Sequence, residues 1–192
     1  MSPSRRLKNR DYASPGLYFI TMCADFKRCT FARLENGVVT RSPLGQIVEE
    51  TWTALSSQFP ELRLHGHIVM PNHVHGIIEI LPAGLAQPAA PLQGGNVPAA
   101  VPRPHSLSII VRTFKAEVTR RARLELNYTE EIWQKNYYDR VIRDGREFSN
   151  AARYIAENPL RWEAQRRNWA EEEQMKEARL ALPAAPLQRG RN

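Results

Sequence analysis

The feature of the sequence that most constrains the fold is a pair of strand-like runs separated by only two residues. Leu64 to Met70 and His73 to Ile80 are rich in β-branched and other apolar side chains, and only Pro71 and Asn72 connect them. A connection this short joins neighbouring antiparallel strands, because parallel strands need a crossover of a dozen residues or more. The sequence therefore predicts a β-hairpin here, around which the rest of the sheet must be arranged.

The other apolar runs alternate between strand and helix periodicity. Besides the hairpin they predict, in chain order, a buried strand, a short hairpin, a helix, a basic amphipathic helix, an extended strand and a last helix, over residues 17–24, 31–40, 44–59, 106–126, 132–142 and 147–158. Pro159 is expected to terminate the last helix, because proline lacks the N–H that the next turn needs. This order predicts an α+β, ferredoxin-like fold, an antiparallel sheet with helices packed on one face.

Two segments differ in composition from this pattern. Residues 81–104 are almost entirely Ala, Pro, Gly, Leu, Gln and Val, a composition typical of a disordered low-complexity loop, and the hexapeptide PAAPLQ within it recurs near the C-terminus. We therefore predict one domain over residues 1–162, carrying the loop at 81–104, and a charged, partly disordered tail over 163–192.

The charge of the chain favours a polyanionic partner. There are 27 Lys and Arg against 20 Asp and Glu, a net charge of +7, and such a surface attracts nucleic acid by Coulomb steering and counterion release. Many small basic proteins nevertheless bind no specific partner, so charge alone leaves this open. With only two cysteines and no apolar run near the roughly 18 residues of a membrane span, the sequence predicts a cytoplasmic protein without membrane association.

Two histidines in the second strand of the hairpin could bind a metal. His73 and His75 are two residues apart, so both rings project from one face of the strand, while Val74 and Ile78 project from the other. Two imidazoles can hold one divalent cation if a third ligand comes from elsewhere. An isolated His-x-His pair is more often two ordinary strand histidines, and the spacing alone does not decide between the alternatives.

The last helix offers a third ligand and a nucleophile. Tyr154 and Asn158 are four residues apart and so lie on one helical face. A metal on a phosphate oxygen would make the phosphorus more electrophilic toward a tyrosine hydroxyl. The alternatives are a tyrosine that packs in the core and an asparagine that ends a helix before proline.

Three ordered motifs resemble those of the REP-associated tyrosine transposases, which are single-tyrosine HUH transposases. HIVMPNHVHGIIEI, from His67 to Ile80, is similar to their HUH signature, and SLSIIVRTFKAEVTR, from Ser106, is similar to their central helix. WQKNYYDRVIR and the following YI-x-x-NP motif, within Trp133 to Pro159, resemble the other half of the family's site. The resemblance covers roughly residues 12–162 apart from the low-complexity loop, and three motifs in order are far more specific than one.

The resemblance implies a ferredoxin-like fold and a metal-dependent DNA strand transferase that acts on single-stranded DNA carrying short hairpins. It implies that His73, His75 and Asn158 bind Mg²⁺ or Mn²⁺, with Asn158 standing where relatives can have glutamine. Tyr154 would be the nucleophile, and its attack would release a 3′ hydroxyl and leave a 5′ phosphotyrosine. Related enzymes act as monomers or as dimers that exchange the tyrosine helix, so a homodimer stays open.

Four cations and two further tyrosines complete the set of candidate residues. Tyr137 and Tyr138 are rival nucleophiles, but neither has a candidate ligand one helical turn away, and packing or base stacking suits them better. The candidate phosphate contacts are Arg112, Lys115, Arg140 and Arg143.

Two other functions compete with the transposase. A DNA-hairpin-binding protein that no longer cuts would keep the same fold, but the intact His73, His75 and Tyr154 argue against it. A plasmid-type replication initiator or relaxase uses related chemistry, usually in a longer chain than these 192 residues.

Overall fold

We describe the protein from a computed structural model, which describes residues 14–82, 85 and 105–181, with side chains as far as residue 168. Most of the predicted loop at 81–104 and the last part of the tail, 182–192, lie outside the described residues. The elements, in chain order, are β1 (Gly16–Cys23), a 3₁₀ turn (Asp25–Lys27), β2 (Ala32–Glu35), β3 (Val38–Arg41), α1 (Pro43–Gln58), β4 (Leu62–Val69), β5 (His73–Ile80), α2 (Leu107–Leu126), β6 (Tyr138–Ile142) and α3 (Gly145–Ala181).

The predicted β4–β5 hairpin is confirmed and forms half of the main sheet. The sheet has four strands in the order β4-β5-β1-β6, and every neighbouring pair is antiparallel. The α+β class is therefore confirmed. Because β5 lies next to β1 in the interior of the sheet, the His73 and His75 backbone is fixed on both sides.

The first face of the sheet carries the main core under α1 and α2. Alternate residues of β1 and β5, among them Ile20, Met22 and Val74, are fully buried against Trp52 and Phe114 of the two helices. Both helices begin at a serine whose hydroxyl accepts a backbone N–H, Ser42 for α1 and Ser106 for α2.

Helix α3 covers the opposite face, so the prediction of helices on one face holds for α1 and α2 but not for α3. Ile155 of α3 packs with Ile77 and Ile142 of the sheet, and Leu17 and Phe19 border this second cluster. The physical reason is that β1 and β5 carry apolar side chains on both faces, so both faces need a cover. The histidine face thus lies under the tyrosine helix.

Pro159 does not end the last helix, contrary to the prediction. Helix α3 runs through it to Ala181. Tertiary contacts hold the helix beyond the proline: Trp162 packs on the His73 ring at 5.6 Å, and the Gly37 N–H donates to the Glu163 carboxylate at 2.6 Å. The predicted boundary at residue 162, between domain and tail, therefore falls inside a continuous helix.

The small hairpin β2–β3 turns at Asn36 and Gly37, as predicted. Both residues have positive φ, 51° and 76°, the requirement of a two-residue type I′ turn. The predicted last strand is shorter than expected: only Tyr138–Ile142 joins the sheet, and Trp133 makes one isolated bridge to Ala24. Among the helices of the described chain, none is both long and apolar enough to cross a membrane.

Candidate active site

His73 and His75 lie side by side on the α3 face of β5, as the alternation predicted. Their ring centroids are 4.4 Å apart and the rings stand at 69° to each other. The neighbouring strand presents Cys23 opposite His73 and Thr21 opposite His75. The two imidazoles therefore project as a pair into the space between the sheet and α3.

Hydrogen bonds fix the orientation of both rings. The amide of Asn72 donates from Nδ2 to the Lys27 carbonyl at 3.1 Å, which turns its Oδ1 toward the Nδ1 of His73 at 2.7 Å. Because Oδ1 can only accept, His73 donates from Nδ1, and its Nε2 keeps a lone pair. The Nδ1 of His75 bonds to the Thr21 hydroxyl at 2.8 Å, which leaves the Nε2 of His75 for other partners.

The two histidines are neutral over the physiological pH range. Burial lowers the pKa of His73 to about 4, against the raising effect of a hydrogen bond with the Asn158 side chain. Burial, followed by the neighbouring His73, lowers the pKa of His75 to about 3. Neutral imidazole is the form that binds metal ions.

Tyr154 of α3 stands directly over the histidine pair. Its ring lies 5.2 Å from the ring of His75, edge to face, and 5.9 Å from the ring of Phe19. The side chain is 39% exposed, and the guanidinium of Arg161 lies 5.6 Å from its ring centroid. The phenol therefore combines a fixed ring with access from solvent.

Asn158 follows one helical turn after Tyr154 and is buried, with 5% of its surface exposed. Its side chain faces the same cleft as His73, and Trp162, a further turn along α3, packs on the His73 ring at 5.6 Å. A cleft of about 330 Å³ opens beside this group, lined by His73, Tyr154, Asn158, Arg161 and Trp162 among others. The two histidines, Tyr154 and Asn158 therefore all come from one protein chain.

The arrangement suits a mixed nitrogen and oxygen metal site. Two imidazole Nε2 atoms and the Asn158 amide oxygen are the available donors. Among the described residues no three His, Cys, Asp or Glu side chains come together as a metal site. The donor set favours Mn²⁺ over Mg²⁺, since Mg²⁺ prefers oxygen ligands and Mn²⁺ also accepts nitrogen.

No protein-family model matches the chain. A protein from Haemophilus influenzae, itself uncharacterized, is 38% identical over 169 residues, which are 83% of this chain and 89% of that protein. The two proteins belong to one family.

A solved structure with a similar fold is a REP-associated tyrosine transposase bound to a REP hairpin. Its TM-score is 0.53 at 18% identity, over 84% of this chain and 74% of that one. The expectation drawn from the three motifs is thereby confirmed at the level of the fold, and the family shared with the Haemophilus protein has this fold.

The predicted DNA contacts fall on two different surfaces. Arg112 and Lys115 line a groove of about 790 Å³ between α2 and residues 135–137, on the sheet face opposite the histidines. Arg140 and Arg143 both pair with Glu147, and Arg140 and Glu147 line a cleft of about 310 Å³ on the other side of Tyr154. The structure thus brings only the second pair near the candidate site.

Lys115 is half-buried, and its ammonium bonds to backbone carbonyls rather than extending into solvent. Its ammonium donates to the carbonyl oxygens of Gln134 and Asn136, at 2.8 and 2.9 Å, and lies 5.7 Å from the Trp133 ring. Burial lowers its pKa to about 8. These contacts tie residues 133–136 to α2, a role that the sequence did not indicate.

The rival tyrosines lie apart from the candidate metal ligands. Tyr137 is buried, and its hydroxyl is 3.1 Å from that of Ser108. Tyr138 is 54% exposed and pairs with Thr21 in the sheet, so it shares the histidine face but lies two strands from His75. Tyr154 alone of the three touches the histidine pair.

The remaining histidines each bond to a glutamate, as expected of structural residues. His65 bonds to Glu79, His67 to Glu49 and His105 to Glu61. Sequence reasoning missed Thr21, Asn72, Arg161 and Trp162, which surround the site. Asn72 could have been found because it adjoins His73 in the chain. On the last helix, Trp162 lies four residues after Asn158 and Arg161 lies seven after Tyr154, so helical spacing could have indicated both. Thr21 could not have been found, because its position beside His75 depends on the strand register.

Proposed function

We propose that this protein is a DNA strand transferase that cuts single-stranded DNA with Tyr154 and rejoins it. The observation that carries the proposal is the placement of a solvent-accessible tyrosine 5.2 Å from one of two paired, neutral histidines. The buried Asn158 amide, one turn along the same helix, lines the same cleft as the other histidine. A tyrosine that only filled the core would not need this polar surrounding.

The proposed reaction is a transesterification. The Tyr154 hydroxyl loses its proton and its oxygen bonds to the phosphorus, while the bond from phosphorus to the 3′ oxygen breaks and that oxygen takes up a proton. The products are a free 3′ hydroxyl and a 5′ phosphotyrosine. Attack on the phosphotyrosine by another 3′ hydroxyl reverses the step and joins the strands, without any nucleotide cofactor.

His73, His75 and Asn158 would hold the divalent cation, Mn²⁺ or Mg²⁺, that the motifs imply. When bound it would neutralise charge on the target phosphate and make its phosphorus more electrophilic. The protein's own part is to fix the ligands through Asn72 and Thr21, as second-layer hydrogen bonds do in metal sites. Arg161, at the Tyr154 ring, would contact a phosphate oxygen and hold the strand in the cleft.

The proposed substrate is single-stranded DNA with a hairpin. The similar solved structure is a transposase with a REP hairpin. The groove along α2 adds the exposed Arg120, Arg123 and Lys135 to the predicted Arg112, while Lys115 lines the groove with its ammonium held by Gln134 and Asn136. The positive charge of this groove suits the phosphates of a duplex stem, while Arg140 and Arg143 lie near Tyr154, where the unpaired strand would pass.

The test is cleavage of labelled hairpin-bearing single-stranded DNA on denaturing gels, with Mn²⁺ or Mg²⁺. We expect the wild-type protein to give a shortened strand and a protein-linked fragment, and Tyr154→Phe to give neither. Tyr138→Phe is the matched control, since it removes a hydroxyl from the same sheet face, and it should cut normally. Binding without cleavage under either metal would instead indicate a DNA-hairpin-binding protein.

A further inference from the structure

The connection between β1 and β2 displays an aromatic ring that the proposed reaction does not use. Phe26 is 84% exposed, more than any other large apolar side chain of the described residues. Its backbone lies in the left-handed region, with φ 48° and ψ 21°, and Lys27 follows with φ 53°. Bulky side chains rarely adopt this conformation, so the surrounding contacts must enforce it.

The segment around Phe26 is held at both ends and in the middle. The Ala24 N–H donates to the Asn72 carbonyl at 2.8 Å, and the Phe31 N–H donates to the Pro71 carbonyl at 3.0 Å. Between them the Asn72 side chain holds the Lys27 carbonyl. A further bond, from the Asp25 N–H to the Ile132 carbonyl at 2.9 Å, fixes the start of the turn. The ring is therefore presented on a rigid support.

The same asparagine connects this turn to the candidate site. Asn72 holds Lys27 with one end of its amide and His73 with the other. The Lys27 ammonium is near enough to lower the pKa of His73 by its charge. The turn that carries Phe26 is thus joined to His73 through a single side chain, Asn72.

The charges beside the ring are those of a nucleic-acid surface. Lys27 and Arg28 follow Phe26 directly and are exposed. The Arg28 guanidinium lies 5.9 Å from the Phe26 ring centroid and is held there by Asp25 and Glu130. An exposed ring flanked by cations combines a stacking surface with attraction for a phosphate backbone.

We propose that Phe26 stacks on an unpaired base of the DNA strand next to the phosphate that Tyr154 attacks. The proposal depends on the proposed function, because the base belongs to the same single strand. A base has an apolar face that covers the ring, and its phosphates meet Lys27 and Arg28. Phe26 then sets the register of the strand, so that one phosphodiester lies at the Tyr154 hydroxyl.

The test is a series of hairpin oligonucleotides that carry 2-aminopurine at successive positions of the single-stranded segment, because stacking quenches its fluorescence. Binding of the wild-type protein with Mn²⁺ should quench the fluorophore at one position. Phe26→Ala should abolish the quenching there and weaken binding about tenfold, within the usual contribution of base stacking. Phe26→Trp should restore both. Val38→Ala, a similarly exposed apolar side chain on β3, is the control and should bind as wild type does.

The outcomes separate this proposal from the proposed function. If wild type and Phe26→Ala cut and bind the oligonucleotides equally, with the same quenching, the stacking proposal is wrong and the transferase stands. If the wild-type protein binds no single-stranded DNA, both are wrong. A Phe26→Ala variant that binds DNA normally but loses self-association in sedimentation would assign the ring to a contact between copies and overturn the proposal.

Discussion

At the scale of single residues, the hydrogen bonds behind His73 and His75 decide what the pair can do. Thr21 and Asn72 each bond to one Nδ1 and so fix the orientation of both rings, with the two Nε2 atoms left to face other partners. The sequence predicted the pair and the shared face from period-two alternation alone. It could not predict Thr21, because the partner of His75 depends on the register between strands 54 residues apart.

Removing the Thr21 hydroxyl should weaken metal binding without unfolding the protein. Thr21→Val keeps the shape of the side chain but removes the hydroxyl that bonds to the Nδ1 of His75, and we expect about a 10- to 100-fold lower Mn²⁺ affinity by calorimetric titration. Thr53→Val, on the exposed surface of α1, is the control. Equal affinity in Thr21→Val and wild type would show that the ring needs no such support.

Gly76 should tolerate no side chain, although it lies in an ordinary strand. A Cβ there would come within 2.2 Å of the Trp52 ring, whereas one at Gly66, in the neighbouring strand, would meet nothing within 4 Å. Gly76→Ala should lower the free energy of unfolding in urea by about 1–3 kcal/mol or more, as overpacking does. Gly66→Ala should change it little, and similar losses in both variants would refute the explanation.

At the scale of elements, α3 carries the candidate nucleophile and closes the site. The sequence predicted this helix and the spacing of Tyr154 and Asn158, but it placed the end at Pro159. The low helix propensity of proline favoured an end at Pro159. The tertiary contacts of Trp162 and Glu163, beyond the proline, outweigh this preference. Such contacts join the helix to His73 and to the β2–β3 hairpin, which are distant in the sequence, so a local sequence pattern cannot predict them.

The bond between Glu163 and Gly37 should be detectable by hydrogen exchange. Glu163→Ala removes the acceptor of the Gly37 N–H, so the Gly37 amide should exchange faster, while amides in the centre of β5 keep their rates. Glu157→Ala breaks only the ion pair with Arg161 on the helix surface and should leave Gly37 unchanged. Unaltered exchange at Gly37 in Glu163→Ala would mean that α3 does not dock there.

Lys115 should make stability depend on pH in the alkaline range. The pKa of Lys115 is about 8 in the folded protein, against 10.5 for a lysine in the unfolded chain. Between these two pH values the unfolded chain binds more protons, so the free energy of unfolding rises with pH. The contribution is complete above pH 10.5 and lost as pH falls through 8. The difference in unfolding free energy between wild type and Lys115→Met should therefore change across this window, and a constant difference would contradict the buried ammonium.

At the scale of the whole molecule, the sheet separates two surfaces. The histidines and Tyr154 lie on the α3 face, while the basic groove of α2 lies on the other. The sequence predicted the α+β class because hairpin and helix periods are clear. It did not predict that α3 covers the second face, since the apolar residues that need this cover, such as Phe19 and Ile77, are ordinary strand residues in isolation.

The most direct test of the central claim is to locate the covalent bond. A hairpin oligonucleotide with only a few nucleotides on the 5′ side of the cleavage point traps the phosphotyrosine, because the short fragment that carries the 3′ hydroxyl diffuses away before it can attack. Tryptic digestion then separates the candidates: Tyr154 lies in the peptide YIAENPLR, and Tyr137 and Tyr138 lie together in NYYDR. We predict a nucleotide adduct on the first peptide by mass spectrometry. An adduct on NYYDR, or none after demonstrated cleavage, would contradict Tyr154 as the nucleophile.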